Sequence, residues 1–258
     1  MEASSASAHA LDGTARTRRA KIVGVDPSQQ IALERSGLLV DLEPSVVGEL
    51  ADAAEERRFA DGEELFHQGD PARQMLVVVA GQVKLSQVSA DGQEVIIRFA
   101  TPGELVGGVA VLEGRAYPVS GTAIGNGRAL TWSAATLDRL FHRHPNLALN
   151  TMRVIADRMR ELQDRLRELA TERVAQRVAR TLLRLAAQLG RKVAGGVEID
   201  LPLSRQSLAE LCGTTQFTVS RLLSDWEARG LLEAGRERVR ITQPHGLVAI
   251  AEDLPPGR

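Results

Sequence analysis

The sequence has a single cysteine, Cys212, and no long hydrophobic run. One thiol excludes an internal disulfide and any four-cysteine metal or iron–sulfur site within one chain. No apolar segment approaches the length that a membrane-spanning helix needs. The basic run at residues 16–21 is not followed by an apolar segment, which argues against a secretory signal. We expect a disordered tail over residues 1–25, with an organelle transit peptide as the alternative, and a cytoplasmic protein that does not contact membranes.

The sequence also lacks the residue patterns of an enzyme. No spacing suggests a nucleophile with a base and an orienting acid, and no cluster has the spacing of metal ligands. The stretch GELVGG at 103–108 lacks the Gly-Lys-Ser/Thr ending of a phosphate-binding loop. Its glycines are better explained as turn residues. We therefore expect no catalytic residues and no metal site.

Neither sign of charge dominates, since the formal net charge is −1. Residues 171–258 carry 13 Lys or Arg against 10 Asp or Glu, a balance of +3, which leaves −4 for residues 1–170. This asymmetry favours the C-terminal part as the surface that faces nucleic acid.

Residues 203–231 have the pattern of a helix-turn-helix. Ser204 is a suitable N-cap for a short helix that ends at Cys212-Gly213, and Thr215 can cap a second helix. In such a unit the first helix braces the second, which enters the major groove of DNA. An ordinary helical hairpin is the alternative. The inward residues of the second helix are Val219, Leu222, Leu223 and Trp226, and the predicted DNA contacts are Ser204, Arg205, Gln206, Thr214, Thr215, Gln216, Phe217, Thr218, Ser220 and Arg221.

Short apolar runs separated by glycines extend over residues 59–132, as in an antiparallel sandwich or barrel. Asp91-Gly92 is the clearest hairpin turn. The alternating apolar residues around it are Val83 and Leu85 before it and Val95, Ile97 and Phe99 after it. Helices are expected over residues 31–38, 45–56 and 136–142. The fold class is therefore α+β, with a β-roll or jelly-roll sensor domain over residues 26–144.

A long helix is predicted from Pro145 to about Ala170. Its apolar residues are spaced 3 and 4 apart as in a coiled coil: Met152, Ile155, Met159, Leu162, Leu166 and Leu169. Charged residues lie between them, so this seam requires a partner helix. The strict repeat favours a parallel homodimer over a partner helix of the same chain. In such a dimer the two helix-turn-helix units, residues 203–231 of each chain, are called reading heads here. Because a two-fold axis relates them, they match an inverted repeat in double-stranded DNA.

The C-terminal domain, residues 171–248, is expected to begin with a helix that runs from Thr171 to a stop at Gly190. Residues 170–172 are the predicted hinge between the domains. A strand is expected over residues 197–203, and residues 231–241 fold back around Gly235 as a wing. The wing arginines Arg236, Arg238 and Arg240 can contact DNA phosphates. Residues 249–258 are expected to be a tail.

This order of elements resembles the CRP/FNR family of bacterial transcription regulators over about residues 30–245. LAELCGTTQFTVSRLLSDWEARGLL is the most specific stretch, and FADGEELFHQGDPARQMLVVVAGQVKLS is similar to the opening of the family's effector domain. The resemblance implies a homodimer that binds DNA, responds to an effector in the β-roll and contacts RNA polymerase. The alternative is a nucleotide-binding module whose winged helix contacts protein.

The resemblance also assigns roles within the second helix. Arg221 matches the arginine that contacts a guanine, and its guanidinium can donate to both O6 and N7. Ser220 matches the serine of the FNR-like branch, and Gln216 stands where the CRP branch has arginine. Phe217 replaces the usual glutamate. A phenyl ring cannot accept a hydrogen bond from cytosine but can touch a thymine methyl, so we expect an altered half-site beside the guanine.

The effector cassette implied by the resemblance is GELVGGVAVLEGRAYPVSGTA. Gly108 replaces the glutamate that CRP-type members use on the sugar of cyclic AMP, and Pro118-Val119 replace the Arg-Ser pair on its phosphate. Arg115 is the only nearby cation, and a buried phosphate without a guanidinium is costly. We expect an effector other than cyclic AMP; binding through a shifted Arg115 stays open. The candidate pocket comprises Gly107, Gly108, Val109, Arg115, Tyr117, Pro118, Val119 and Ser120.

The resemblance and the single cysteine suggest two further signals to which the protein could respond, a haem ligand and thiol oxidation. The YPV-type cassette resembles that of regulators of nitrogen-oxide and low-oxygen metabolism, some of which use haem. His67, His142 and His144 are the candidate haem ligands, with surface or capping roles as the alternative. The lone cysteine excludes an FNR-type iron–sulfur cluster. Cys212 is either a packing residue or an oxidation-sensitive thiol close to DNA.

Overall fold

A computed structural model describes residues 25–254. The tail expected at residues 1–25 therefore lies outside the described residues except for residue 25, as do residues 255–258. The expected α+β class is confirmed, with a β-roll, a long helix and a C-terminal helix-turn-helix part. The helices are α1 (Pro27–Arg35), α2 (Pro44–Asp52), α3 (Gly108–Glu113), α4 (Ala134–Arg143), α5 (Pro145–Thr171), α6 (Val174–Leu189), α7 (Arg205–Cys212), α8 (Gln216–Ala228) and α9 (Pro244–Ala251). The strands are β1 (Glu55–Phe59), β2 (Glu64–Phe66), β3 (Gln74–Val88), β4 (Glu94–Ala100), β5 (Leu105–Val106), β6 (Ser120–Ser133), β7 (Gly190–Val193), β8 (Gly196–Ile199), β9 (Leu232–Ala234) and β10 (Val239–Ile241).

The β-roll is an antiparallel sheet built on the long strands β3 and β6. Its strand order is β1-β6-β3-β4, with β2 paired to β6 and β5 paired to β3. Residues 75–79 of β3 are all buried, as expected for a continuous apolar run in a sheet core. The hairpin predicted at Asp91-Gly92 is confirmed, because β3 pairs with β4 across it. Gly92 adopts a φ of 82°, which a tight turn requires and glycine tolerates.

The second strand of this hairpin differs from the prediction. Strict alternation would place Val95, Ile97 and Phe99 on one face, but Ile96 and Phe99 are buried and Val95 is exposed. The register shifts where β4 carries one extra residue between the partners of Leu85 and Ser86. Such a β-bulge changes which side chains face inward, and alternation alone does not reveal it.

The two N-terminal helices have different bounds from those predicted. α1 starts at Pro27 rather than at residue 31, because Asp26 caps the helix through two backbone N–H groups. α2 ends at Asp52 rather than at residue 56, since β1 follows it and pairs with β6. The indole Nε1 of Trp132 donates to the Leu50 carbonyl at 2.8 Å and holds α2 against the roll.

The long helix α5 covers the predicted range and ends at Thr171. The next helix begins at Val174 instead of Thr171, because Glu172 and Arg173 have extended backbones. The Arg173 N–H donates to the Gln176 side chain at 2.9 Å, which fixes the start of α6. The break between the two helices therefore lies at residues 172–173.

The C-terminal part packs α6, α7, α8 and α9 against a small sheet with the order β7-β8-β10-β9. The expected wing is present as β9 and β10. Two elements were not predicted: β7, which pairs with β8, and α9, which continues through Ala251 into the expected tail. β8 ends at Ile199 rather than at residue 203, and Leu201 and Leu203 are buried in the core beyond it. None of the helices within residues 25–254 is long and apolar enough to cross a membrane.

The roll and the C-terminal part share an interface along β4. Ile96 and Phe99 belong to the same apolar cluster as the inner faces of α6 and α7. At the edge of this contact, the Gln82 amide donates to the Asp200 carbonyl at 2.7 Å. A common core means that a change in the roll bears directly on the helices of the C-terminal part.

Candidate DNA-binding interface

The helix-turn-helix consists of α7 and α8. Ser204 Oγ accepts a hydrogen bond from the Ser207 N–H at 3.0 Å, and Thr215 Oγ1 accepts one from the Thr218 N–H at 3.2 Å. Both predicted N-caps are thus confirmed. Between the helices, Gly213 has a φ of 59°, a left-handed conformation that glycine adopts without steric cost.

The second helix, α8, presents one apolar and one exposed face. Val219, Leu223 and Trp226 are buried with at most 2% of their surface exposed. Gln216, Phe217 and Arg221 lie on the exposed face. Phe217 is 79% exposed, so most of its apolar ring is in contact with solvent in the free protein. The Phe217 ring is therefore accessible to a ligand of this face.

Other predicted contact residues also serve the fold of the domain. Arg205 donates to the carbonyls of Ala234 (3.4 Å) and Gly235, which joins α7 to the wing. The Gln206 side chain donates to Glu210 at 2.7 Å. The remaining three are half-buried along the turn and α8: Thr214, Thr218 and Ser220. Arg205 and Gln206 are therefore already hydrogen-bonded within the domain before any contact with DNA.

The wing arginines differ in how freely they can contact a ligand. Arg240 is half-buried, donates to the Ala194 carbonyl at 3.1 Å and forms an ion pair with Glu233. Arg238 lies 3.4 Å from a carboxylate oxygen of Glu198. Arg236 is exposed and has no ion pair within residues 25–254. Of the three, Arg236 is therefore the best placed for a phosphate contact.

A groove of about 510 Å³ separates the wing from the helix-turn-helix. Ser204, Gln216 and Arg236 line it, together with Ala234 and Glu237 of the wing. The N-terminus of α7 opens onto this groove, and free N–H groups and the helix dipole favour an anion there. No local pattern pointed to Ala234 or Glu237, because only the folded wing brings them to α7.

The cassette residues that lie inside the roll are Gly107, Gly108 and Tyr117. Gly107 has a φ of 78°, and a Cβ at this position would lie 3.0 Å from the Gln74 carbonyl oxygen. Gly108 is buried at the start of α3, a helix that the sequence pattern did not predict. The buried Tyr117 hydroxyl donates to the Gln74 carbonyl at 2.7 Å.

The other predicted pocket residues lie at or near the surface. Arg115 is exposed and lies 3.7 Å from Glu113. Val109 and Pro118 are exposed, and Val119 and Ser120 are half-buried. The predicted pocket residues are thus divided between the interior and the surface of the roll, and Arg115 is among the exposed ones.

An aromatic pair fills the interior of the roll beside the cassette. The rings of Phe66 and Tyr117 stack with centroids 4.4 Å apart and an interplanar angle of 29°. Gly121 lies directly against Phe66, since an added Cβ would come within 2.5 Å of the ring. Both aromatic residues belong to a cluster of buried apolar side chains. This part of the roll is thus packed as a hydrophobic core.

The three sensor histidines each lie beside a carboxylate. His67 is exposed 3.3 Å from Glu64, and His142 is exposed 3.4 Å from Asp138. His144 precedes α5 and lies 3.0 Å from Glu49; this hydrogen bond, helped by Arg143, lowers the pKa of the Glu49 carboxyl. Within residues 25–254, no three His, Cys, Asp or Glu residues are grouped so that they could hold a metal. These positions favour the surface and capping roles over haem ligation.

Cys212 lies in the core of the helix-turn-helix with 2% of its surface exposed. Burial raises the pKa of its thiol, although a hydrogen bond with Thr181 acts in the opposite direction. A protonated, buried thiol is a poor nucleophile. The packing role is therefore favoured over the oxidation-sensitive one.

Arg177 connects the break between α5 and α6 to the turn of the helix-turn-helix, and the sequence pattern did not single it out. Its guanidinium donates to the Glu172 carbonyl at 2.8 Å, the Cys212 carbonyl at 3.0 Å and the Gly213 carbonyl at 3.3 Å. These carbonyls end α5 and α7, which otherwise leave acceptors unsatisfied. One side chain of α6 thereby fixes the two ends relative to each other.

The apolar seam of α5 is exposed along most of its length. Met152, Met159, Leu162, Leu166 and Leu169 are between 48% and 68% exposed, and Ile155 is half-buried. At its C-terminal end the seam meets the helix-turn-helix, because a Cβ added to Gly213 would lie 2.9 Å from Leu169. A contiguous exposed apolar stripe of this kind is typical of an interaction surface.

Comparisons with known proteins agree with this architecture. Residues 56–144 match the family model of the cyclic nucleotide-binding domain, and residues 176–250 match the Crp-like helix-turn-helix domain. The transcriptional activator protein FnrA of Stutzerimonas stutzeri is 31% identical over 76% of this chain and 80% of the relative. The CRP-like cAMP-activated global transcriptional regulator of Mycobacterium tuberculosis is 26% identical over 83% of this chain and 96% of the relative.

Solved structures show the same arrangement of domains. FixK2 from Bradyrhizobium japonicum superposes with a TM-score of 0.68 at 25% identity and covers 80% of this chain and 99% of its own. The CRP-family regulator TTHB099 of Thermus thermophilus has a TM-score of 0.66 at 26% identity and covers 77% and 97% of the two chains. With a β-roll of the cyclic-nucleotide-binding type and a Crp-like helix-turn-helix, the chain belongs to the CRP/FNR family of transcription regulators.

Proposed function

We propose that the chain acts as a symmetric homodimer that binds an inverted repeat in double-stranded DNA and is controlled by an effector other than cyclic AMP. The observation that carries this proposal is the exposed face of α8, which is braced by α7 and offers Gln216, Phe217 and Arg221 to a ligand. Its site of action is then the cytoplasm, and RNA polymerase is the expected protein partner.

The dimer contact we propose is the exposed seam of α5. Its 3.5-residue repeat matches a left-handed two-stranded coiled coil, in which each seam residue packs against the partner helix. The exposed methionine and leucine side chains would become buried in this arrangement. The two copies of α8 would then lie on one face, suited to half-sites about 34–36 Å apart.

Base recognition is assigned to Arg221 and Phe217. A guanidinium can donate two hydrogen bonds to guanine O6 and N7, and the exposed Phe217 ring can pack on a thymine methyl. Arg236 and the N-terminus of α7 would contact phosphates on either side of the groove. We therefore expect a half-site that keeps one guanine and has thymine next to it.

The packed interior of the roll supports an effector other than cyclic AMP. Phe66 and Tyr117 fill the space beside the cassette, and the only cassette cation, Arg115, lies outside. A cyclic phosphate in that interior would be buried without a guanidinium, which is costly. The Mycobacterium tuberculosis relative is described as cAMP-activated; we propose that this chain differs. The signal would pass along α5 and through Arg177 to the turn of the reading head.

A mobility-shift titration with a duplex selected by the full-length protein tests the proposal. Arg221→Ala should weaken binding about 5- to 150-fold, or 1–3 kcal/mol, and relax discrimination at one base pair. Arg229→Ala, which changes an exposed arginine at the end of the same helix, is the matched control and should bind like wild type.

Three outcomes would count against the proposal. An equal loss on all sequences would remove the base-reading role of Arg221. Absence of binding to any duplex would support the alternative of a winged helix that contacts protein. A rise in Tm on addition of cyclic AMP would contradict an effector other than cyclic AMP, whereas a Soret band after haem reconstitution would identify haem as that effector.

A further inference from the structure

Three arginines from different elements line one small, partly open cavity where the roll, the long helix and the reading head meet. Arg98 comes from β4, Arg165 from α5 and Arg184 from α6. Thr181 and Gln188 add polar groups, and Phe99, Leu185 and Leu211 complete the wall. Neither DNA recognition nor the seam accounts for this gathering of positive charge.

The carboxylates around the cavity do not balance these arginines. Arg98 forms an ion pair with Glu104 at 2.9 Å, and Arg184 contacts Glu168 at 2.6 and 2.9 Å. Glu104 also pairs with Arg158, which in turn pairs with Glu161, and Glu168 also lies 3.9 Å from Arg180. Glu104 and Glu168 are thus each shared between two guanidiniums.

Arg165 is the guanidinium left without a carboxylate. It is half-buried, and its one hydrogen-bond partner within residues 25–254 is the Ile97 carbonyl. Burial lowers its pKa and repulsion from Arg184 lowers it further, whereas the charges of Glu161 and Glu168 act in the opposite direction without reversing the shift. The pKa of Arg98 is likewise lowered by burial; Glu104 acts in the opposite direction, and Arg158 and Arg165 repel its charge. Arg165 is thus a half-buried charge with no direct ion pair within residues 25–254, and an anion in contact with its guanidinium would stabilise this junction.

A second copy of the chain does not supply that anion. In the proposed coiled coil, Arg165 occupies a position that flanks the seam, where it would face the partner's flanking residues. Those positions are Ala156, Gln163 and Ala170, none of which carries a negative charge. This step rests on the proposed dimer, whereas the charge imbalance exists within one protomer.

The size of the cavity limits what can bind there. Its volume of about 10 Å³ accommodates the centre of a single water-sized particle. A phosphate or a nucleotide is too large. We propose that the cavity binds one monoatomic anion, chloride under ordinary conditions, between Arg98, Arg165 and Arg184. The anion would join the roll, the dimer helix and the reading head, and would therefore favour the arrangement of domains seen here.

Bromide provides a direct test on the full-length protein. Crystals grown with bromide as the halide should show an anomalous peak within hydrogen-bond distance of the Arg165 guanidinium. A peak that appears only at high bromide and without a chloride effect in solution would mean an adventitious ion only, and would overturn the proposal. So would ordered water at the position with no anomalous signal.

Thermal unfolding in sodium chloride and in sodium gluconate at equal ionic strength is the solution test. Arg160→Gln, an exposed arginine on the same helix, serves as control and should show the same difference between the salts as wild type. In Arg165→Gln the chloride advantage should fall by about 2–4 °C. An unchanged difference in Arg165→Gln would refute the site. Because no DNA is present, this result does not depend on the proposed function, and bromide diffraction on wild type decides the matter if the variant does not fold.

Discussion

Arg177 should contribute strongly to the stability of the reading head and to its alignment with the long helix. Its guanidinium makes hydrogen bonds of 2.8, 3.0 and 3.3 Å to the carbonyls of Glu172, Cys212 and Gly213. Hydrogen bonds to a charged group contribute about 1.5–3 kcal/mol each, but solvent screens a half-buried side chain and the longest bond is weak. We therefore expect Arg177→Met to lower the free energy of unfolding of the C-terminal part by about 2–4 kcal/mol.

The two tryptophans allow this prediction to be measured in one part of the chain. Trp132 lies in the roll and Trp226 in the core of the helix-turn-helix, so a Trp132→Phe background leaves one fluorophore in the reading head. Urea unfolding followed through Trp226 then reports on the C-terminal part, which avoids treating both parts as a single two-state unit.

Arg173→Met is the matched control for the Arg177 substitution. Arg173 is also an arginine at the start of α6, but its side chain is 79% exposed and it forms only a 3.6 Å ion pair with Asp253. Its replacement should cost less than about 0.5 kcal/mol. If the two variants unfold at the same urea concentration, the three carbonyl contacts do not stabilise the junction and the proposed connection through Arg177 is refuted.

Three further substitutions and treatments follow from the structure. Leu166→Glu should convert the proposed dimer to a monomer in light scattering, because burying a carboxylate in the seam is costly. Arg167→Glu, at the adjacent position outside the seam, should stay dimeric. A dimeric Leu166→Glu would contradict the seam as the dimer contact. Cys212 should react with a thiol reagent only after unfolding, since burial raises its pKa; equal rates in native and unfolded protein would contradict this. Asp26→Ala should destabilise the chain by about 1 kcal/mol at neutral pH. The Ser28 hydroxyl holds the pKa of Asp26 well below its ordinary value. The greater stability of wild type over Asp26→Ala is therefore present above that ordinary pKa and is lost as the pH falls. Urea unfolding at neutral and acidic pH should show this difference in unfolding free energy narrowing, and a constant difference would refute it.

Elements with an undisturbed local pattern could be predicted from the sequence. The 3,4 spacing gave the range of α5, Ser204 and Thr215 marked the starts of α7 and α8, and Asp91-Gly92 marked a hairpin. In each case the deciding contacts lie within a few residues of one another. The family resemblance of the helix-turn-helix was confirmed for the same reason, since its motif is local.

Elements that depend on distant partners were missed or misplaced. The bulge in β4 arises from pairing with β3, and β1 replaces the end of a predicted helix because β6 is available to pair with it. α9 packs against α6, and nothing in its own sequence required a helix rather than a tail. Such contacts join residues far apart in the chain, and a local pattern does not contain them.

The candidate site shows the same division. The exposed face of α8 follows from helical periodicity, so Gln216, Phe217 and Arg221 lie where they were expected. No helical or strand periodicity predicts which cassette residues face inward. Tyr117 turns inward to stack on Phe66, while Arg115, two residues before it, is exposed. The roles of Arg177 and Arg165 depend on carbonyls brought together only by the fold.

Selection of duplexes from a random pool by the full-length protein, followed by footprinting of the winners, tests the central claim most directly. We predict two identical half-sites related by a two-fold axis, about one helical turn apart, each with a guanine that loses its preference in Arg221→Ala and a neighbouring thymine that loses its preference in Phe217→Ala. A single asymmetric site, or a half-site whose preferences survive both substitutions, would contradict a dimer that reads DNA through α8.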